Sequence, residues 1–294
     1  MTTAADEPLP ELLVSIHHAF PAMRLRAIRA IGKLGRSARD ALSALSKALD
    51  DNDAKVREAA AQAIGQIGPD ALPLLAQMLK HSDKYVRRNA VWALGKLGPL
   101  AKDVANDLCM ALRDEDPRTA SGAAQTLGSM GTEAAAAIPP LAEAMRGTNI
   151  VLCRLAAKAL SQIGSPALPT LITHLKHHDP FVRGEAAMSL GWMGPAAAAA
   201  VQPLIDILRT TQSSVRSIPG GSSGAHQTPA TVVTPTPGDQ APEDSTRANA
   251  VQALGRIGPD AASSLPYLQD ALSDSSDLVR KVAEIAVRQV QGMA

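Results

Sequence analysis

One seventeen-residue stretch constrains the fold of this chain more than any other feature: Asp83–Pro99, DKYVRRNAVWALGKLGP, recurs with variations along nearly the whole length. Asp83 suits a helix N-cap, because its carboxylate can accept from the free backbone N–H groups of the first turn. Val86, Ala90, Ala93 and Leu94 then fall at i, i+4, i+7 and i+8, an apolar stripe on one helical face. Gly95 and Gly98 bracket the exit, where glycine tolerates the left-handed backbone of a C-cap, and Pro99 suits the first turn of a following helix.

With the first glycine of each GxxG as a ruler, the copies sit at Gly32, Gly65, Gly95, Gly128, Ser161, Gly191, Gly255 and the degenerate Arg288, at spacings of 33, 30, 33, 33, 30, 64 and 33 residues. Self-similarity at such a period signals a stacked array, here of eight helical hairpins. The position five before the ruler is alanine in every copy, from Ala27 to Ala283, as expected where neighbouring hairpins pack too closely for a larger side chain. The repeats are placed at about 10–35, 36–68, 69–98, 99–131, 132–164, 165–194, 195–258 and 259–291, in a single domain spanning 1–294.

The second helix of each copy resembles the HEAT-like repeat of the phycobilin-lyase type, roughly D-x-x-V-R-x-x-A-x-x-A-L-G-x-I-G. Asp53, Asp83, Asp116 and Asp179 match its acidic position; Arg57, Arg87, Arg183, Arg247 and Arg280 match its basic one. The departures are Ala120 and Cys153 in place of arginine, and Glu243 in place of aspartate. The resemblance implies an all-α fold, a right-handed α-solenoid whose concave face is lined by the second helices. It also implies an Asp–Arg ladder between neighbouring repeats, here Asp53, Arg57, Asp83, Arg87, Asp179 and Arg183.

The composition, 46% hydrophobic but 2% aromatic, suits thin, alanine-rich interfaces repeated many times rather than one large core. A net charge of +1 with both signs interspersed provides no global field to gather nucleic acid or an anionic membrane. Cys109 and Cys153 show no metal spacing. The acidic N-terminal stretch and the lack of a long apolar run lead to an expected cytoplasmic location.

Prolines 73, 139, 140, 169, 203 and 266 recur inside the first helices, which are expected to kink or begin late. The 64-residue spacing is an interruption of the seventh hairpin between its helices, with Thr211–Glu243, rich in Pro, Gly, Ser and Thr, read as a disordered insertion. The last copy departs as a cap should, with Glu284 where other copies carry Ile, Val or Ala.

Catalysis finds little support. His174, His177 and His178 precede Asp179, but His81 stands where His177 does, and histidine at a helix C-terminus suits the dipole. The HEAT-like enzyme deoxyhypusine hydroxylase holds iron through His-Glu pairs, and no histidine here precedes a glutamate; the nearest counterpart is Gly184-Glu185. No GxSxG, HExxH or P-loop occurs, and neither metal nor cofactor is expected. The reading is a non-catalytic scaffold for a peptide, helix or protein. The alternatives are a lyase-like subunit handling a tetrapyrrole with its acceptor protein, and a nucleic-acid-binding HEAT-like protein using Arg26, Arg29, Lys33, Lys96, Lys158 and Arg256.

Positions 10, 6 and 3 before the ruler and 1 after it share the side of each second helix opposite the apolar stripe. The third copy places Tyr85, Asn89, Trp92 and Lys96 there and the sixth Phe181, Glu185, Met188 and Trp192, which makes these eight the candidate binding residues. Both copies follow a 30-residue spacing, and aromatic anchors in polar surroundings make binding hot spots. Three packing steps would set the clusters roughly 25–30 Å apart.

Overall fold

The computed structural model describes residues 7–216 and 241–293, and among these every regular element is helical. The helices pair as α1 (Leu9–Ser15) with α2 (Pro21–Lys33), α3 (Leu42–Ala48) with α4 (Ala54–Ile67), and α5 (Leu72–Met78) with α6 (Lys84–Leu97). They continue as α7 (Ala105–Ala111) with α8 (Pro117–Ser129), α9 (Ile138–Met145) with α10 (Ile150–Ile163), and α11 (Leu168–His174) with α12 (Pro180–Met193). Last come α13 (Val201–Arg216) with α14 (Ala241–Ile257) and α15 (Leu265–Ala271) with α16 (Asp277–Val290). These helices form two compact units, Met1–Ile163 and Gly164–Ala294. Within the first, α2, α4, α6, α8 and α10 lie side by side in that order; within the second, α12, α14 and α16 do.

The second helices start where aspartate allows. The carboxylate of Asp53 accepts from the N–H of Lys55 at 2.8 Å, that of Asp83 from Tyr85 at 2.7 Å, and that of Asp179 from Phe181 at 2.9 Å. The first helices begin late, as the prolines imply. In most repeats a seven-residue 3-10 stretch such as Gly98–Val104 precedes the α-helical part, and Pro73, Pro139, Pro169 and Pro266 stand in the first turn of that part. There proline removes only an N–H that has no helical partner. Where the spacing is 30, the 3-10 stretch shrinks to Pro69–Ala71 or Ser165–Ala167, which accounts for the two repeat lengths.

The two glycines of each GxxG do different work. The second takes the left-handed backbone, as at Gly98 (φ +52°) and Gly131 (φ +60°). The first has no such φ, and the expectation of a cap there is corrected: it is a contact point between helices. A Cβ on Gly128 would lie 2.9 Å from the Cα of Ala159, and one on Gly255 would lie 2.8 Å from the Cα of Ala286. Gly32, Gly128, Gly191 and Gly255 thus let the next second helix approach to backbone distance, while the alanine five positions before the ruler is fully or almost fully buried in all eight copies.

Two boundaries differ from the sequence reading. Helix α13 runs on through Thr211–Arg216, because no helix breaker stands before Pro219, and α14 starts at Ala241, with Pro242 and two acidic residues in its first turn. The rest of the expected insertion, 217–240, lies outside the described residues.

Candidate interaction surface

On the second helices the exposed stripe is narrower than the periodicity alone implies. Positions ten and three before the ruler and one after it are largely exposed, as in Lys55, Gln62 and Gln66. The position six before is more enclosed. Ala59 is buried there, Asn89 half-buried, and Glu185 only 6% exposed, so the solvent-facing placement of Glu185 is corrected. Tyr85, Trp92, Lys96 and Trp192 are exposed, while Phe181 and Met188 are half-buried. The first four candidates belong to one compact unit and the second four to the other.

Trp92 does not lie on a flat surface. Between α6 and α8 runs a cleft of about 400 Å³ whose lining includes Val91, Trp92, Gly95, Lys96, Arg118 and Gly122. Its floor is low because α8 carries glycine where other repeats have side chains; a Cβ on Gly122 would stand 2.8 Å from Val91 Cγ1. Thr126, buried, donates its hydroxyl to the Val91 carbonyl at 3.2 Å and fixes the spacing of the two helices. The Lys96 ammonium sits 5.1 Å from the centroid of the Trp92 ring, within cation–π range.

Arg88 closes the cleft beside the start of α8. Its guanidinium grips Asp116, with Nε 2.6 Å from Oδ2 and Nη2 on Oδ1. That hydrogen bond is the main reason the Asp116 carboxyl lies well below the usual carboxylate range; the Thr119 hydroxyl and N–H assist, against the cost of burial. Tyr85 is bracketed by cations, with Arg57 at 5.2 Å and Arg88 at 5.1 Å from its ring centroid.

The ladder exists, but its acid is mostly not the one the motif suggests. Asp53, Asp83 and Asp179 cap their own helices. The arginines reach instead to the residue two before the next repeat's cap. Arg24 forks onto Asp51 (2.7 and 2.8 Å), Arg87 onto Asp114 (2.7 and 2.9 Å) and Arg247 onto Asp274 (3.1 and 3.0 Å). Asp51, Asp114 and Asp274 each also accept the N–H of that cap residue at 2.8 Å, so one carboxylate ties the turn and the joint together. Arg183 is the exception, pairing with Glu243, which holds the motif's acidic position but lies in the first turn of α14. In Arg24, Arg57, Arg87, Arg183 and Arg280, Nη1 also donates to two turn carbonyls of its own repeat, in Arg87 those of His81 and Ser82, both at 2.9 Å.

The histidines belong to this scheme. Nδ1 of His18, His81 and His177 accepts the N–H of Phe20, Asp83 and Asp179 at 3.0–3.1 Å, the service Asp51 and Asp114 perform elsewhere. With His81 standing where the acid would be, Arg57 has no such carboxylate and lies over Tyr85. Cys153, in an arginine position, directs its thiol to the Gly147 carbonyl at 3.1 Å, six residues back, as the arginines do with Nη1. Burial pushes the Cys109 thiol up. Among the described residues no cluster of three or more His, Cys, Asp or Glu could hold a metal, and no helix is long and apolar enough to cross a membrane.

The sequence singled out Trp92 and Lys96 but missed Arg118, Gly122 and Thr126. The signal was there, in a glycine six before the ruler and a threonine in a column otherwise of alanine and one serine, but its meaning depends on the tryptophan of the preceding repeat.

The comparisons with known proteins agree with this geometry. HEAT repeats match residues 9–82, 71–154 and 138–218, and the PBS lyase HEAT-like repeat matches 246–274. No curated protein matches in sequence. Among solved structures, Escherichia coli YibA is similar at 16% identity and a TM-score of 0.50, over 98% of this chain and 94% of that one. A Kap121p mutant is similar at 13% identity and a TM-score of 0.53, over 97% of this chain and 33% of that one. The complex of CpcE and CpcF, the phycocyanin lyase of Nostoc sp. PCC7120, gives 20% identity and a TM-score of 0.43, over 98% and 96%. With its helical hairpins, its buried alanine columns and a match over residues 9–218, the chain belongs to the family of HEAT repeats.

Proposed function

We propose that this chain is a non-catalytic scaffold that binds a protein or peptide partner on the exposed face of its second helices. The observation that carries the reading is Trp92. A tryptophan 41% exposed, walling a cleft and neighboured by a lysine, costs solvation in the free protein and gains on being covered. Trp192, 42% exposed, offers a similar anchor in the other unit. The ionisable side chains of the described repeats are largely engaged in caps, turns and joints, which leaves recognition rather than chemistry as the use of the surface.

The test is to change Trp92 and Trp192 to alanine, singly and together, and to measure both thermal stability and retention of partners in a pull-down. Loss of partners with an unchanged melting curve supports the reading. Full retention, or a destabilised fold, returns the tryptophans to a packing role.

A further inference from the structure

The near-neutral chain hides a segregation of charge. The five second helices of the first unit carry thirteen Lys or Arg and one acidic residue, Glu58; the three second helices of the other unit carry six and five. Many of the first unit's bases are engaged, as Arg24, Arg87 and Arg88 are with aspartates. Arg118 and Lys96 are exposed and have no acidic partner among the described residues, and both line the cleft between α6 and α8.

Their placement sets a distance. Val91 meets Gly122, Gly95 meets Thr126 and Gly98 meets Ser129, so α6 and α8 run parallel with an offset of 31 residues. Arg118 is the second residue of α8, and Lys96 lies level with Leu127, nine residues further along. At 1.5 Å per residue the two cations stand about 14 Å apart along the cleft. Between them lie Val91, Gly95 and Gly122 as floor and Trp92 as wall.

Resting on the interaction reading above, we infer that the cleft takes an acidic peptide segment in extended form. It has one carboxylate against Arg118, another against Lys96 roughly four residues away, and apolar side chains between them over Trp92. Charge complementarity selects this occupant. A basic or neutral segment would leave two cations uncompensated beside it, and a small metabolite could not reach both ends.

The test uses the full chain carrying Trp192→Phe, so that Trp92 alone reports. Displayed random twelve-residue peptides are selected on it, and the enriched sequences are synthesised and titrated by Trp92 fluorescence. The expectation is Asp or Glu on both sides of apolar residues, with affinity falling about tenfold for Lys96→Glu and again for Arg118→Glu. Lys281→Glu in the other unit should leave it unchanged. Lys96→Gln and Arg118→Gln, expected to weaken binding in the same order by less, replace any reversal that disturbs the melting curve.

Enrichment of neutral or basic peptides, no enrichment, indifference to both substitutions, or displacement of the peptide by oligothymidylate at lower concentration than by unlabelled peptide would each overturn the inference. The scaffold reading fails separately, if Trp92→Ala and Trp192→Ala together retain every partner. Tight peptides that ignore Lys96 and Arg118 would leave that reading standing and remove only the acidic one.

Discussion

At the scale of single residues, the ruler glycines divide into those with room for a methyl group and those without. Gly255→Ala would drive its Cβ against the backbone of Ala286 at 2.8 Å, and Gly128→Ala would do the same to Ala159 at 2.9 Å. Each should cost roughly 1–3 kcal/mol in a denaturant melt, since packed backbone must move. Gly65→Ala finds its nearest neighbour at 3.5 Å, an ordinary contact. It should be neutral or stabilising by up to about 1 kcal/mol through helix propensity, and equal loss at all three sites would refute the assignment of close contact. Residue roles were legible only in part. The capping aspartates and the alanine column show in one copy of the repeat, because a helix dictates both. The ruler glycine, Glu185 and Gly122 owe their roles to the next helix along, which periodicity within one helix does not encode.

At the scale of the element, the joint between hairpins is a charged fork with a polar turn beneath it. Arg87 and Asp114 are each 8% exposed at the side chain, so Arg87→Ala leaves a nearly buried carboxylate without its guanidinium and should cost roughly 3 kcal/mol. Arg57, which meets only carbonyls and the Tyr85 ring, should cost about 1 kcal/mol when replaced by alanine. Equilibrium unfolding of both variants decides the ranking.

The joints also set the response to acid. Burial opposes ionisation of Asp51, but the bonds from Arg24 and the Asp53 N–H outweigh it, and its pKa falls below 3.8; that of Asp116 falls further. Carboxylates depressed by folding contribute stability that is complete above about pH 4 and is lost as pH falls through their folded values. Arg88→Gln should therefore return Asp116 toward its ordinary value and move the acid-unfolding midpoint to higher pH, as circular dichroism can follow. An unmoved midpoint would mean that the Asp116 pair contributes little. The motif placed the arginines correctly but named the capping aspartates as their partners, because the true acids lie two residues outside the helical pattern that makes the motif visible.

At the scale of the whole molecule, the all-helical hairpin architecture was legible throughout, since eight copies of one pattern average out local exceptions. The cleft was not, because it is made by two different repeats departing from the pattern in complementary ways. The stretch 217–240 interrupts the pattern without disturbing the packing of α13 on α14. Replacing it with a flexible linker of about ten residues should leave the helical signal and the melting temperature nearly unchanged, given the logarithmic cost of loop length. A loss of several kcal/mol would make it a packed element.

Each joint takes its arginine from one hairpin and its acid from the turn of the next, and most ruler glycines seat the helix that follows them. Every repeat of the regular kind therefore ends in one half of a fastening and begins with the other half. Such a chain can lengthen or shorten in evolution by duplicating or losing a whole copy, because the new neighbours meet with matching halves and no charge is stranded. Where a copy gives up its half, as at His81 or Cys153, the local seam is sealed by other means, and those positions mark where this protein has stopped being interchangeable with its own repeats.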